Sequence, residues 1–210
     1  MSIDAEKLKK TATSKGLPFR IAKIGHVVLM VKDLEESVSF YTQILGFKVS
    51  DVYPEEMMPG GMVFLRCNTD HHGLALVGGA AGSASNQELN HLAFEVSTLE
   101  EVLRARDHLR AHNVPIDFEG RRRAGCQIAV EFRDPDNHSV EIYWGVDQVG
   151  SDGRVRPSHE WYGVGSLEAA IAHPVPGQET HISGWQGDLT VPQKEFAQRG
   201  SPADGKGKSA

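Results

Sequence analysis

Cysteine is almost absent: Cys67 and Cys126 are the only two among 210 residues, and neither stands in a CxxC pair. That excludes a disulfide scaffold, a zinc ribbon and a dithiol redox centre, and both thiols read as small buried hydrophobes in a reducing compartment. Long apolar runs are missing as well. The richest stretches, His26–Val31 and the glycine-containing Gly73–Ala81, fall far short of the roughly 20 residues that span a bilayer, so no membrane helix is expected. Met1–Leu17 is charged and lacks the apolar segment of roughly 7–15 residues of a secretory signal, which points to the cytoplasm. Positive charge is not in excess: 22 basic against 28 acidic side chains leave a formal net charge of -6. Nothing in that balance favours nucleic acid as a partner. Phosphate loops, dinucleotide fingerprints and serine nucleophile elbows are not found. A hydrophobic share of 40% is nonetheless enough for a sizeable core, and what the chain does have in quantity is histidine, ten residues of it.

Two of those histidines belong to an internal repeat. Ile24–Leu29 leads through Val31 into Leu34–Glu35–Glu36, and 65 positions later Leu89–Phe94 leads through Val96 into Leu99–Glu100–Glu101, so that His26 matches His91. Each copy opens on a short β-rich run and continues into an amphipathic helix. The first helix starts after Asp33 and closes at Gly46; the second opens with the capping box Thr98–Glu101 and stops at Asn113 and Pro115. Three strand candidates follow each: Phe47–Val52, Met62–Cys67 and Gly73–Val77, then Ile116–Phe118, Cys126–Phe132 and Ser139–Trp144. The expected fold is α+β, two tandem β-α-β-β-β modules forming a curved mixed sheet around a metal site.

The corresponding division is an N-terminal extension over 1–20, a core over 21–146 with modules 21–80 and 87–146, and a C-terminal extension over 147–210. Gly78–Gln87 reads as a flexible link, while Gln193–Ala210 and the first dozen residues read as disordered. Within the extension Ser166–Ala172 reads as a short capped helix. Val155–Val175 is apolar enough to pack on the modules or on a second subunit, with Trp161 buried.

Chemistry concentrates where the repeat places it. His26 and His91 open equivalent strands, and Glu141 stands among apolar residues in the strand after the Asp134–Pro135–Asp136–Asn137 turn. A carboxylate there must be paired, exposed or bound to a cation. Two histidines and one carboxylate form a face suited to a divalent transition metal and diagnostic of non-haem Fe(II) sites, with positions left open for substrate and oxygen. The slot matching Glu141 in the first copy offers Leu74 or Leu76, so no fourth protein ligand is expected.

The stretch from Ile24 to Trp144 resembles the vicinal oxygen chelate superfamily, through GHVVLMVKDLEESVSFYTQILGF, NHLAFEV and DPDNHSVEIYW. Within it, FLRCN at Phe64–Asn68 and HHGLAL at His71–Leu76 are similar to the catalytic domain of type I extradiol ring-cleavage dioxygenases, here in a one-domain form. The resemblance implies that His26, His91 and Glu141 hold Fe(II), or Mn(II) or another divalent metal, and that His72 is the acid–base group. A small catechol-like aromatic and O2 would be the substrates, and a homo-oligomer the assembly. Read from the residues alone, the alternative is that His71 and His72 are polar turn residues after Asn68–Thr69–Asp70. Where the pattern has a histidine after Gly-Arg, this chain has Arg122, and ten positions before Glu141, in place of a tyrosine, it has Glu131. With His71 these are the substrate-binding candidates, although Arg121–Arg123 also reads as a solvated turn or a clamp for an anion. A glyoxalase-like lyase or isomerase, a thiol transferase and a non-catalytic small-molecule-binding protein are the alternatives that the same superfamily leaves open.

Overall fold

Two local signals, a strand and then a capped helix, start each half of the chain, and the halves consequently fold alike. The computed structural model describes residues 3–182. After a short helix α1 (Ala5–Lys9), the first module runs β1 (Val27–Met30), α2 (Leu34–Ser39), β2 (Lys48–Tyr53), β3 (Met62–Arg66) and β4 (Leu74–Val77). The second runs β5 (Leu92–Glu95), α3 (Leu99–Ala111), β6 (Ile116–Arg121), β7 (Ile128–Arg133) and β8 (Ser139–Trp144), before α4 (Leu167–Ala172). Asp33 caps α2 by accepting from the Glu36 N–H at 3.0 Å. Thr98 and Glu101 cap α3 reciprocally, as the capping box requires.

The tandem β-α-β-β-β expectation holds, with one four-stranded mixed sheet per module, in the orders β1-β4-β3-β2 and β5-β8-β7-β6. In both, the first strand pairs in parallel with the last, and the remaining pairs are antiparallel. Val28 pairs with Ala75 and Ala93 with Glu141. The first-module counterpart of Glu141 is therefore Ala75 rather than Leu74 or Leu76, because the first copy is one residue shorter between those strands. The slot is still apolar.

Each sheet covers one face with helix and core. Leu29, Leu65, Leu74 and Leu76 form one buried cluster with Tyr41, and Leu99, Leu103, Val130, Phe132 and Val140 form the other. The modules meet on this helix-bearing side. Beyond α2 a π-helical turn, Phe40–Ile44, carries Tyr41 inward, while Phe40, Ile44 and Leu45 pack against the second cluster. Phe47 meets Phe94 edge-on, with ring centroids 5.1 Å apart.

The Asp134–Asn137 turn locks this joint. Asp134 accepts from Tyr41 Oη at 3.0 Å and His138 Nδ1 at 2.9 Å; Asp136 accepts from Ser37 Oγ at 3.0 Å and the Lys32 N–H at 2.9 Å. Both carboxylates are buried, which is tolerable because each is met by donors. The link expected to be flexible is tied to the same turn: the Ala84 N–H donates to the Asp136 carbonyl and Asn86 Nδ2 to the Asn137 carbonyl.

Several expectations are corrected, both in the extensions and within the modules. Ala5–Lys9 is helical because Asp4 accepts from the Lys7 N–H at 3.0 Å; Gln193–Ala210 lies outside the described residues. The extension packs on the second module, but Trp161 remains 37% exposed, since Leu167 and Ala170 on α4 supply the apolar anchor instead. Arg121 is neither a solvated turn residue nor an anion clamp. Its guanidinium is buried at 1% exposure and donates to the carbonyls of Tyr162, Ala170 and His173. Gly120, at φ +138, lets the chain approach this strap; a Cβ there would sit 2.1 Å from the Val164 oxygen. Cys126 is buried, whereas Cys67, just past β3, is exposed.

Burial, and then the Asp134 carboxylate beside it, push the Tyr41 phenol well above its ordinary range. A group whose folded pKa is raised contributes stability that is complete below its unfolded value, about 10 for tyrosine, and is lost as pH rises toward the folded value. Tyr41→Phe is expected to cost about 1–2 kcal/mol at neutral pH and to flatten the alkaline loss of stability. Urea unfolding at neutral and alkaline pH measures both effects, and an unchanged alkaline slope would contradict this account of Tyr41.

Candidate metal centre

Parallel pairing decides which side chains meet. The Val27 N–H donates to the Gly73 carbonyl at 3.0 Å where β1 enters beside β4. His26, one residue upstream, thereby lies against His72, with ring centroids 4.6 Å apart. His72 Nδ1 is 3.0 Å from His71 Nδ1, so one of the two donates and the other is unprotonated at that atom. Phe64 of β3 packs against His72 at 5.0 Å and His71 at 5.9 Å. Desolvation, then His26 and His71, hold the His72 imidazolium below the usual histidine range. His26 itself is exposed at the entrance of its strand.

The second module repeats the geometry with a different partner. His91 precedes β5, and the register Ala93↔Glu141 places Glu141 of β8 on the same face. His91 Nε2 and Glu141 Oε2 are 3.2 Å apart. Asn90 Oδ1, 2.8 Å from His91 Nδ1, can only accept, so Nδ1 carries a proton and Nε2 faces the carboxylate, with a lone pair in the neutral ring and an N–H in the imidazolium. Two electron-rich atoms at that separation need a proton or a cation between them. The Glu141 side chain is only 2% exposed, and desolvation, followed by the nearby Glu131 charge, raises its pKa against the opposing pull of His91, Gln127 and Arg122. Gln127 Nε2 approaches Glu141 Oε1 at 3.5 Å while its own Oε1 is buried without a partner.

Glu131 lies across from Glu141 on β7, and Phe118 across from Glu131 on β6, so the three share the open face of the sheet. Arg122 Nε donates to Glu131 Oε1 at 2.7 Å, and its guanidinium covers the Phe118 ring at 3.7 Å. The two replaced positions, Arg122 and Glu131, thus satisfy each other. Asn90, Gln127 and Phe118 were not among the residues singled out from sequence. Asn90 had a signal in its adjacency to His91, whereas Gln127 and Phe118 are recruited by register alone.

Each chain accordingly gathers two half-sets, His26 with His72 and His71 on one sheet and His91 with Glu141 on the other. Among the described residues, no group of three or more His, Cys, Asp or Glu side chains is close enough to hold a metal ion. By residue type the His91–Glu141 pair suits a divalent transition metal, and among the described residues no third donor joins it.

Fold and site together define a class: two-module β-α-β-β-β proteins that present imidazole and carboxylate donors on the open faces of their sheets. The chain belongs to the Glyoxalase/Bleomycin resistance protein/Dioxygenase superfamily, whose family model matches residues 23–142. It is 32% identical over 129 residues to a biphenyl-2,3-diol 1,2-dioxygenase of Paraburkholderia xenovorans, covering 60% of this chain and 42% of that protein. A 3-methylcatechol 2,3-dioxygenase of Pseudomonas putida is 30% identical over 129 residues, 60% of this chain and 43% of that protein. A manganese-dependent 2,3-dihydroxybiphenyl 1,2-dioxygenase of Geobacillus genomosp. 3 is 30% identical over 131 residues, 61% of this chain and 38% of that protein. The chain spans about two fifths of the length of these curated relatives.

Neutralising Glu131 tests the electrostatics of this face. Glu131→Gln removes a negative neighbour and frees Arg122, and both changes favour ionised Glu141, so its pKa is expected to fall. Carboxyl NMR titration of the metal-free protein reads the shift; a rise would show that Glu131 does not act on Glu141 as the geometry requires.

Proposed function

We propose that the protein is a metal-dependent extradiol-type dioxygenase that opens the ring of a small catechol-like aromatic with O2. The ligands are His26, His91 and Glu141, and the metal is Fe(II) or Mn(II). The observation that carries this reading is the approach of the exposed His91 Nε2 to the buried Glu141 carboxylate at 3.2 Å, an imidazole–carboxylate pair suited to holding a cation. The dioxygenase names of the relatives support it, including one described as manganese-dependent. When bound, the metal supplies a Lewis-acidic centre that acidifies a catechol hydroxyl and brings the aromatic and oxygen together.

The chain's own residues supply the rest. Asn90 fixes the His91 tautomer, so that Nε2 is the coordinating atom. His72 engages His71 through Nδ1 and keeps Nε2 for the substrate; in the tautomer whose Nδ1 donates to His71, Nε2 carries a lone pair that can accept a proton. His71 stands beside it as a substrate contact. Across the second sheet, the Arg122–Glu131 pair over Phe118 forms a polar wall and takes the place of the residues that ordinarily meet the aromatic. We place the protein in the cytoplasm with no nucleic-acid partner; no helix among the described residues is long and apolar enough to cross a membrane.

Alanine at His26, His91 or Glu141 is expected to abolish tight binding of Fe(II) or Mn(II), measured by elemental analysis after anaerobic loading. His72→Ala is expected to keep its metal and to lose about 10²–10⁴ in oxygen uptake on a catechol panel. Retention of metal by Glu141→Ala, or its loss from His72→Ala, would overturn the assignment of roles. No oxygen uptake by loaded wild-type protein on any catechol would overturn the reaction.

A further inference from the structure

Two further histidines stand together away from both open faces. His108 lies in the last turn of α3 and His112 is the residue that caps it. A separation of four residues puts their side chains on one face of the helix, one turn apart. The ring centroids are 4.3 Å apart with the planes inclined at 49°, and both residues are exposed to solvent.

Backbone carbonyls fix the tautomer of each ring. His108 Nε2 is 3.0 Å from the Ile44 carbonyl at the end of the π turn, and His112 Nδ1 is 2.9 Å from the His108 carbonyl. A carbonyl oxygen can only accept, so His108 carries a proton on Nε2 and His112 carries one on Nδ1. In the neutral rings the lone pairs then fall on His108 Nδ1 and His112 Nε2, the nitrogens that these two contacts leave over. An imidazole anchored through its other N–H to a carbonyl is the usual form of a metal-bound histidine, because that bond orients the ring and raises its basicity. Here two such rings adjoin. They also sit at the C-terminus of a thirteen-residue helix, where the unpaired carbonyls favour a cation.

We propose that His108 and His112 form a metal site of their own, for a divalent ion that seeks imidazole nitrogen: Cu(II), Ni(II) or Zn(II). The chain supplies two donors, since among the described residues no group of three or more His, Cys, Asp or Glu side chains gathers around one point, and water fills the remaining positions. The site is separate from His91 and Glu141 and does not depend on the ligand set proposed for catalysis. It does touch the joint between the modules. His108 donates from α3 to Ile44, and Ile44 with Phe40 and Leu45 packs against the second apolar cluster. A cation on Nδ1 makes the Nε2–H a stronger donor to the Ile44 carbonyl, so metal binding tightens that contact.

The test adds Cu(II) alone, in steps, to the metal-free full chain and follows the backbone amides by NMR, because the paramagnetic ion broadens signals close to it. Broadening over residues 107–114 is expected in the wild-type chain. His108→Ala and His112→Ala, both at exposed positions, are each expected to weaken Cu(II) there by at least the roughly 10-fold that loss of an outer-shell partner alone costs. No broadening at this end of α3 in the wild-type chain, or equal broadening in either variant, overturns the site. Mn(II), which prefers carboxylate and water, is expected to leave these residues sharp; broadening by Mn(II) as strong as that by Cu(II) overturns the assignment of two imidazole donors. The link to the joint is read with diamagnetic Zn(II), which is expected to slow solvent exchange of the His108 Nε2 proton. Unchanged exchange with Zn(II) bound overturns the coupling.

Discussion

Parallel strand pairing sets the entrances of two strands side by side however far apart they lie in sequence. In each module the first strand pairs in this way with the last. One such pairing places His26 beside His72, and the other places His91 beside Glu141. The helices, the intervening hairpins and the two apolar clusters hold these parallel pairs in register. A slip of one residue would turn every side chain on β8 to the opposite face and carry Glu141 into the packed interior.

The cost of that placement falls on Glu141. Its carboxylate is almost fully buried, faces His91 Nε2, and feels the negative charge of Glu131 before the positive charge of Arg122. A group in that position relaxes by taking up a proton or by gaining a cation. The contrast with Asp134 and Asp136 is instructive. They are equally buried but are met by hydroxyl, imidazole and backbone donors, and they serve the joint between modules. Buried carboxylates of one chain thus differ in what faces them, hydrogen-bond donors at the joint and an imidazole nitrogen at Glu141.

The two modules share a skeleton and differ in what their open faces carry. Where the second has Glu141 the first has Ala75, and where the second has Glu131 across from Glu141 the first has Phe64 across from Ala75, packed against His71 and His72. The common register agrees with the internal repeat, and the open faces differ in carrying imidazoles on one sheet and Glu141 with His91 on the other. The C-terminal strap closes the far edge of the second module through Arg121, whose guanidinium is satisfied by backbone carbonyls rather than by a carboxylate.

Much of this was legible in the chain itself. The offset between His26 and His91, the caps at Asp33, Thr98 and Ser166, and the alternation of the strands determine two β-α-β-β-β modules, because periodicity and capping are local properties that the sequence displays directly. The candidates His72 and Glu141 were visible too, one through its similarity to the HHGLAL pattern and the other as a charge among apolar neighbours. Burial of Trp161, a solvated or anion-binding Arg121 and a loose Gly78–Gln87 link were misread for one common reason: each depends on what another part of the chain places beside the residue. Gln127 and Phe118 became neighbours of the site only through register between strands. Only the tertiary structure decided that the modules join on their helix-bearing sides, leaving His26 on one open face and His91 with Glu141 on the other. That division follows from the packing of distant surfaces, which no local pattern of residues encodes.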